Sequence, residues 1–435
     1  MASGDDAARV VITGVGVVSP IGVGHEPFWE SLVAGRGGIG ELVSLPVAPL
    51  PSRLAAEITD FDPLEYLPTR KLLKVMSRDI QLGVAASRLA IDDAGLGRGV
   101  LDPDRVGVSF GAGRISSLLS DFSAAVWVPK PPLESDPGDE FEWTRWGEDN
   151  LGRIAPMWLL KRLPNMTACH VSIDLDARGP NNTITSRDTS ALLALAEGVR
   201  VIERGAADCM LVGAAGSLVH PVDLIKLNLS RTLSRQNDIP TLACRPFDVD
   251  RDGSVPGEGA AAFVIERNDL ARQRGAKAYA EVIGCGAGCD GGSARSGSVG
   301  QGLVNAIAAA VADAGIEPGD LGHVNAGATG SPEDDAIEAQ AIQQALGSSA
   351  AGVPVTALGG YLGHSDAGGG AVELAGCLLS LRHQLVPQTL GFHTADPGCR
   401  LDIVAGTPRP VPGPLAISCN RTEFGQSAAV VVRAS

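Results

Sequence analysis

The 435-residue chain has no run of about 18 uncharged apolar residues, so no membrane-spanning helix is expected. Its start, MASGDDAARVV, is acidic and lacks a basic region followed by an apolar stretch. That speaks against a secretory signal, and a cytoplasmic protein is the expectation. Cationic charge is also short, with 35 Lys and Arg against 50 Asp and Glu, a net charge of -15. Such a balance argues against non-specific binding of nucleic acid or anionic membrane, and against direct docking of an acidic protein. A metal site is not expected either. The eight cysteines fall at 169, 209, 244, 285, 289, 377, 399 and 419, and only Cys285 and Cys289 are close. No second pair stands at zinc-like spacing, and no matching His accompanies the first. Cys209, in DCMLVGAAG, reads as a small buried hydrophobe. Finally, GVGVVS after the first strand lacks the third glycine of a dinucleotide-binding loop, and no acidic residue ends a second strand about twenty positions on. Gly14 and Gly16 are instead read as allowing close backbone packing at a strand end.

What is present is a well-packed globular composition, 44% hydrophobic and 20% charged, with β-branched runs alternating with helical patterns. Residues 9–18 predict a strand, 26–35 a short helix and 78–95 an amphipathic helix ending at Gly95. VGVSFGAG predicts the next strand. Residues 189–204 predict a helix with Leu192, Leu195, Val199 and Ile202 on one face, followed by the strand CMLVGAA. The order restarts near residue 278. AYAEVIGCGAG resembles VVITGVGVV, LVNAIAAAVADAG resembles LGVAASRLAIDDAG, and GHVNAGATG runs from strand into loop. An internal duplication follows, with halves at 1–265 and 266–435 meeting around 265–277. Residues 127–150 break the pattern: they are rich in Pro and acid and hold three of the five tryptophans. They read as an insertion, either a surface excursion or a loop facing a partner or covering a mouth.

The stretch TITSRDTSALLALAEG (183–198) is a loop that stops abruptly and launches a helix, the usual setting of a nucleophile. The residue at the turn is Asp188, a carboxylate, which suits a helix cap offering an anion to free N–H groups. Three more stretches are informative: RPFDVDRDGSVPGEGAAAFVIE (245–266), VNAGATGSPEDDAIEAQAI (324–342) and GGYLGHSDAGGGAVELAG (359–376). With the opening GVGVVSPIG and the closing SCNRTEFGQSAAVVV, the chain resembles, over essentially its whole length, the β-ketoacyl synthase family of the thiolase superfamily.

The resemblance implies an α/β thiolase-like fold, two duplicated βαβαβαββ-type halves in a five-layered αβαβα sandwich, and no cofactor or metal. It also implies an acyltransferase chemistry. A Cys at a helix N-terminus takes an acyl chain from a carrier protein, its thiolate favoured by the helix. Two His assist decarboxylation of a malonyl group and stabilise the enolate, and a Lys five residues before the second His holds the network. Matched position by position, most of that set is missing. The TACTS-like stretch reads SRDTS, with Asp188 at the nucleophile. The NAHGTST-like loop reads NAGATGS, with Gly327 for the first His. The KSMTGH-like loop reads GGYLGH, with Gly359 for the Lys and His364 kept. Asp335 and Glu338 are retained, and the FGFGGTN-like turn keeps Phe424 and Gly425. Phe424, Gly425, Met166 and Thr329 are the substrate-binding positions that the resemblance implies.

With no Cys–His–His set, the chain is expected to be inactive in condensation by itself. The expected role is a non-catalytic partner similar to chain-length-factor subunits, which pair with an active synthase and shape its acyl tunnel. Those partners typically carry Gln at the nucleophile position, not Asp. The implied partners are an active ketosynthase in a heterodimer, or a second copy in a homodimer, with acyl carrier protein met through the partner. The interface is expected around 189–214 and 163–173. The alternative is a homodimeric enzyme of altered acyl-transfer or decarboxylation chemistry using His364 with Asp188 or Ser186; Thr189, Ser190 and Tyr361 are further hydroxyl candidates. Decarboxylation in relatives with a substituted nucleophile is expected to need both His, and Gly327 replaces one.

Overall fold

The run VVITGVGVVS forms β1 (Val10–Ser19), buried along its whole length, as its unbroken apolar character demands of a strand covered on both faces. The structure is a computed structural model that describes residues 9–46, 49–116, 121, 147–148, 150–154, 156–291 and 299–435. All of the expected insertion at 127–150 except residues 147, 148 and 150 lies outside the described residues.

The first half continues with α1 (Arg78–Asp93), β2 (Val106–Ala112), α2 (Met166–Leu175), β3 (Asn181–Ile184), α3 (Ser190–Glu203), β4 (Cys209–Ser217) and β5 (Glu258–Arg267). The second runs β6 (Ala280–Cys289), α4 (Gln301–Ala314), β7 (His323–Ala326), α5 (Pro332–Leu346), β8 (Pro354–Ala357), α6 (Ala367–His383), β9 (Asp402–Ile403), β10 (Leu415–Arg421) and β11 (Gln426–Ala434). The strands are hydrogen-bonded in the order β9-β8-β7-β10-β11-β6-β1-β5-β4-β2-β3, with the two-residue strand Gly22–Val23 beside β1. Apart from β9, the path reads the same from each side of the β1–β6 junction. β1-β5-β4-β2-β3 and β6-β11-β10-β7-β8 are one topology used twice. In each, the second strand along the chain (β2, β7) pairs in parallel with two neighbours, and the last two along the chain (β4 with β5, β10 with β11) form an antiparallel pair. The two copies join where Val10–Ile12 run antiparallel to Ala280–Val282.

Strand periodicity builds the layers. On β4, Met210 and Val212 enter a central core while Cys209 and Leu211 enter an outer one. On β11, Ala428, Val430 and Val432 join the central core and Ala429 and Val431 the opposite outer one. Successive side chains of a strand point to opposite faces, so each sheet is covered twice. α1 and α2 close one outer core, α4 and α5 the other, and α3 and α6 lie between the sheets. The result is the five-layered thiolase-like sandwich. α6 is buried nearly all round, as a helix of the central layer must be.

Local signals account for the ends. Ser77 caps α1 by accepting from Ile80 N, and Gly95, at φ +64°, turns the chain away after it. Gly14 and Gly16 are where the sequence reading placed close packing: a Cβ at Gly16 would lie 2.0 Å from the carbonyl oxygen of Ala86 on α1. Cys209 is buried, as expected of a small hydrophobe. Within the subunit, the α3 face carrying Leu192, Leu195, Val199 and Ile202 packs into the central core.

Candidate active site

The two central helices begin at equivalent turns, and those turns meet. After β3 the chain passes through Arg187, whose φ of +49° is left-handed, and one short turn (Arg187–Thr189) leads into α3. Ser186 N donates to Ser190 Oγ at 2.8 Å, and Thr189 Oγ1 lies 2.8 Å from both Ser186 O and Ser186 Oγ. Thr189 and Ser190 are fully buried. These hydroxyls knit the turn, the usual use of hydroxyls at a helix start. Asp188 does not cap: α3 begins without a side-chain cap, because the carboxylate is turned towards the other half.

There it meets His364. His364 Nε2 donates to Asp188 Oδ1 at 2.5 Å, each side chain about one-fifth exposed (21% and 19%). The histidine backbone is held by β-type bonds, its N–H to Val255 O and its carbonyl from Gly257 N, both at 2.7 Å. Burial opposes charge on both partners, yet each stabilises the other's charged form. Burial pushes Asp188 up, but the charge and hydrogen bond of His364, with Arg187 nearby, outweigh it, and the carboxyl falls below its ordinary value. Burial likewise pushes His364 down, while Asp188 by charge and hydrogen bond lifts it to about 9. The pair is therefore imidazolium and carboxylate at neutral pH.

The glycines at the other two positions are closed over. A Cβ at Gly327 would lie 2.6 Å from Asn420 Nδ2, and one at Gly359 2.5 Å from the carbonyl oxygen of Ala328. The Asn420 amide donates to Glu373 Oε2 at 2.6 Å. Burial raises Glu373 to about 7 and pushes Glu338 well up, although Glu338 accepts from Gly327 N at 2.9 Å. Asp335, raised by burial to about 6, accepts from Phe247, Thr329 and Gly330 N–H groups at 3.0–3.1 Å. The retained acids thus brace the loop that carries Gly327.

A cavity of about 100 Å³ is lined by Asp188, Gly327, Thr329, Glu338 and His364, with Arg187 and Arg421 among its other walls. Thr329 faces this space. Phe424 stands at the protein surface, 66% exposed, and Gly425 makes its turn at φ +86°. Gly359 is buried behind the wall. Met166 lies elsewhere, at the start of α2 against the outer core of the first half. Tyr361 is no candidate hydroxyl: it is fully buried, 3.1 Å from the carbonyls of Leu32 and Gln388.

No thiolate is offered in place of the missing one. Cys244 Sγ donates to Thr329 O at 3.0 Å and Cys419 adjoins Asn420; both are buried, and burial drives both well above the ordinary thiol value. Among the described residues no cluster of His, Cys, Asp and Glu could hold a metal ion, and no helix is long and apolar enough to cross a membrane.

A duplicated βαβαβαββ frame, with two helix-start turns converging on one cavity, defines a thiolase-fold acyl-transfer scaffold. The family models for the N-terminal and C-terminal domains of β-ketoacyl synthase match residues 7–271 and 279–393. The chain belongs to the β-ketoacyl synthase family. It is 32% identical to 3-oxoacyl-[acyl-carrier-protein] synthase 2 of Synechocystis sp., over 96% of this chain and 95% of that one. It is 34% identical to the tetracenomycin polyketide synthase ketoacyl synthase alpha subunit of Streptomyces glaucescens, over 98% and 97%. Among solved structures, the ishigamide ketosynthase/chain length factor superposes with a TM-score of 0.82 at 26% identity, covering 98% of this chain and 99% of that one.

Arg187 is the site residue that sequence reasoning missed. It stands where the TACTS-like pattern has its alanine, and an Arg beside Asp188 in SRDTS was the available signal.

Proposed function

We propose that this chain is a non-catalytic ketosynthase subunit that pairs with an active synthase of a type II fatty-acid or polyketide system and shapes its acyl tunnel. One observation carries the reading: the nucleophile position holds Asp188, and that carboxylate is locked in an ion pair with His364, the one histidine retained from the set. A carboxylate in such a pair is neither a thioester-forming group nor an available base, and the imidazolium is already committed as a donor. The closed glycine positions support the same reading, since a His at 327 or a Lys at 359 would first have to displace Asn420 or the 328 carbonyl.

Pairing has a surface available. Among the described residues β3 is bonded to β2 on one side only, and its first two residues, Asn181 and Asn182, are exposed; an unpaired strand edge is a template for another strand. Ile173 on α2, 70% exposed, lies in the expected segment 163–173. Similarity to a ketosynthase/chain length factor structure agrees with a subunit of this kind.

The altered-enzyme reading draws on the retained His364. Its Ser186 version lacks the necessary contact, because the Ser186 hydroxyl is engaged with Thr189 and the His364 ring with Asp188.

The test is incubation of the purified chain with acyl- and malonyl-carrier protein, followed by intact-mass measurement, alone and after mixing with a ketosynthase that has its full Cys–His–His set. The expected outcome is no covalent adduct on this chain, with a stable heteromer and turnover only in the mixture. Acylation of this chain, abolished by Ser186→Ala or His364→Ala, would establish the altered enzyme instead.

A further inference from the structure

One guanidinium ties together three of the loops around the cavity. Arg187 Nε lies 3.1 Å from Asp366 Oδ1, and Arg187 Nη1 lies 2.6 Å from Glu423 Oε1. Its cationic carbon sits 5.6 Å from the centroid of the Phe424 ring. Arg187 belongs to the turn before α3, Asp366 to the turn before α6, and Glu423 and Phe424 to the turn between β10 and β11. The arrangement is built into the backbone: Arg187 and Asp366 hold left-handed conformations, with φ +49° and +52°, a cost that non-glycine residues bear only where the surroundings enforce it. Asp366 is anchored in turn, since its Oδ2 packs so closely on Gly113 that a Cβ there would lie 1.9 Å away.

The cavity that this leaves is about 100 Å³, below the roughly 300 Å³ at which small-molecule sites begin. It admits a few waters but not an acyl-pantetheine arm. The opposite arrangement, a small residue at 187, is what the family pattern implies for a synthase that must receive that arm.

We infer that Arg187 is a clasp: bridging Asp366 and Glu423 under Phe424, it narrows the cavity over Asp188 and His364 and excludes a carrier-borne pantetheine arm. The inference deepens and rests on the non-catalytic reading. On it, the arm is directed to the partner synthase because this subunit's own entrance is too narrow for it, and the exclusion is a property of Arg187 independent of the missing thiol.

The clasp is tested by giving the site a reporter thiol. D188C is made in the full chain and treated separately with iodoacetamide and with bromoacetyl-pantetheine, and alkylation at 188 is followed by peptide mass spectrometry. The ratio of the long-probe rate to the short-probe rate is the readout, because it cancels changes in thiolate fraction. R187G suits the left-handed backbone and removes the guanidinium. In R187G/D188C the ratio is expected to rise by about tenfold or more over D188C, as a site reached only by local opening becomes open. E423Q/D188C, which loosens only the outer bridge and spares the turn, is expected to rise by a smaller factor. An unchanged ratio in both double variants overturns the clasp and leaves the non-catalytic reading standing. Acylation of the unmodified chain by acyl-carrier protein would overturn both, since it requires the arm to enter past Arg187.

Discussion

The two halves of the molecule carry the same packing device in their outer layers and different chemistry at the turns that face each other. In the first half, Cβ atoms at Gly14 and Gly16 would meet the carbonyl oxygens of Ala90 and Ala86 at 2.2 and 2.0 Å. In the second, those at Gly284 and Gly286 would meet Ala310 and Ala306 at 2.2 and 2.0 Å. A strand steps by two residues on one face and a helix by four, so two glycines against two alanines bring α1 onto β1 and α4 onto β6 at the same close spacing. The helix-start turns have diverged instead: SRDTS before α3 supplies an anion and a guanidinium, and GHSDA before α6 supplies an imidazole and a second carboxylate. Packing constrains the first pair because backbone cannot yield to a side chain. Only interaction across the cavity constrains the second.

The largest expected effect comes from breaking the shared device. Gly16→Val and Gly286→Val each force a side chain against helix backbone, and each should lose about 3 kcal/mol or more, or fail to fold. Paired denaturant midpoints check this, and tolerance at one site with collapse at the other would mean the halves are not packed alike.

The next effect belongs to the turns. Asp188→Asn should return His364 from about 9 towards an ordinary imidazole value, read by proton NMR of the ring. Because His364 is raised, its share of stability is full below the unfolded value of 6.5 and is lost as pH rises through about 9. Because Asp188 is lowered, its share is present above the ordinary carboxylate value of 3.8 and is lost on acidification. The stability difference between the native chain and Asp188→Asn should therefore be widest between about pH 4 and 6.5 and fade above about 9. A flat difference across that range would remove the ion pair from consideration.

The smallest effect is at the surface between the halves, where Arg200 on α3 reaches Asp313 on α4 at 2.6 Å. With its side chain 46% exposed, Arg200→Ala should cost no more than about 1 kcal/mol. A larger loss would show that the halves depend on polar links as well as on the central core.

Much of this was legible in the residues. VVITGVGVV and AYAEVIGCGAG betrayed the duplication, since their glycines face helices of equal spacing, and the helix expected at 78–95 is observed at Arg78–Asp93. The candidate site was legible as positions: Asp188, Gly327, Thr329 and His364 do line one cavity. Their partners were not. The cap expected of Asp188 was displaced by an ion pair spanning 176 positions, which local spacing cannot reveal. Met166 and Tyr361 were site candidates by the resemblance, and packing places one against an outer core and the other deep among carbonyls. The apolar face of 189–204 was legible as well, and Leu192, Leu195, Val199 and Ile202 do pack together in the central core.

By itself the sequence determined the class of fold and the absence of a thiol at the nucleophile turn, because periodicity and residue identity are local properties written directly in the chain. Only the tertiary structure decided what Asp188 does, what fills the space beside Gly327, and that Arg187 joins three loops. Each depends on groups far apart in sequence brought within hydrogen-bonding distance, where burial makes an unpaired charge costly and a paired one stable.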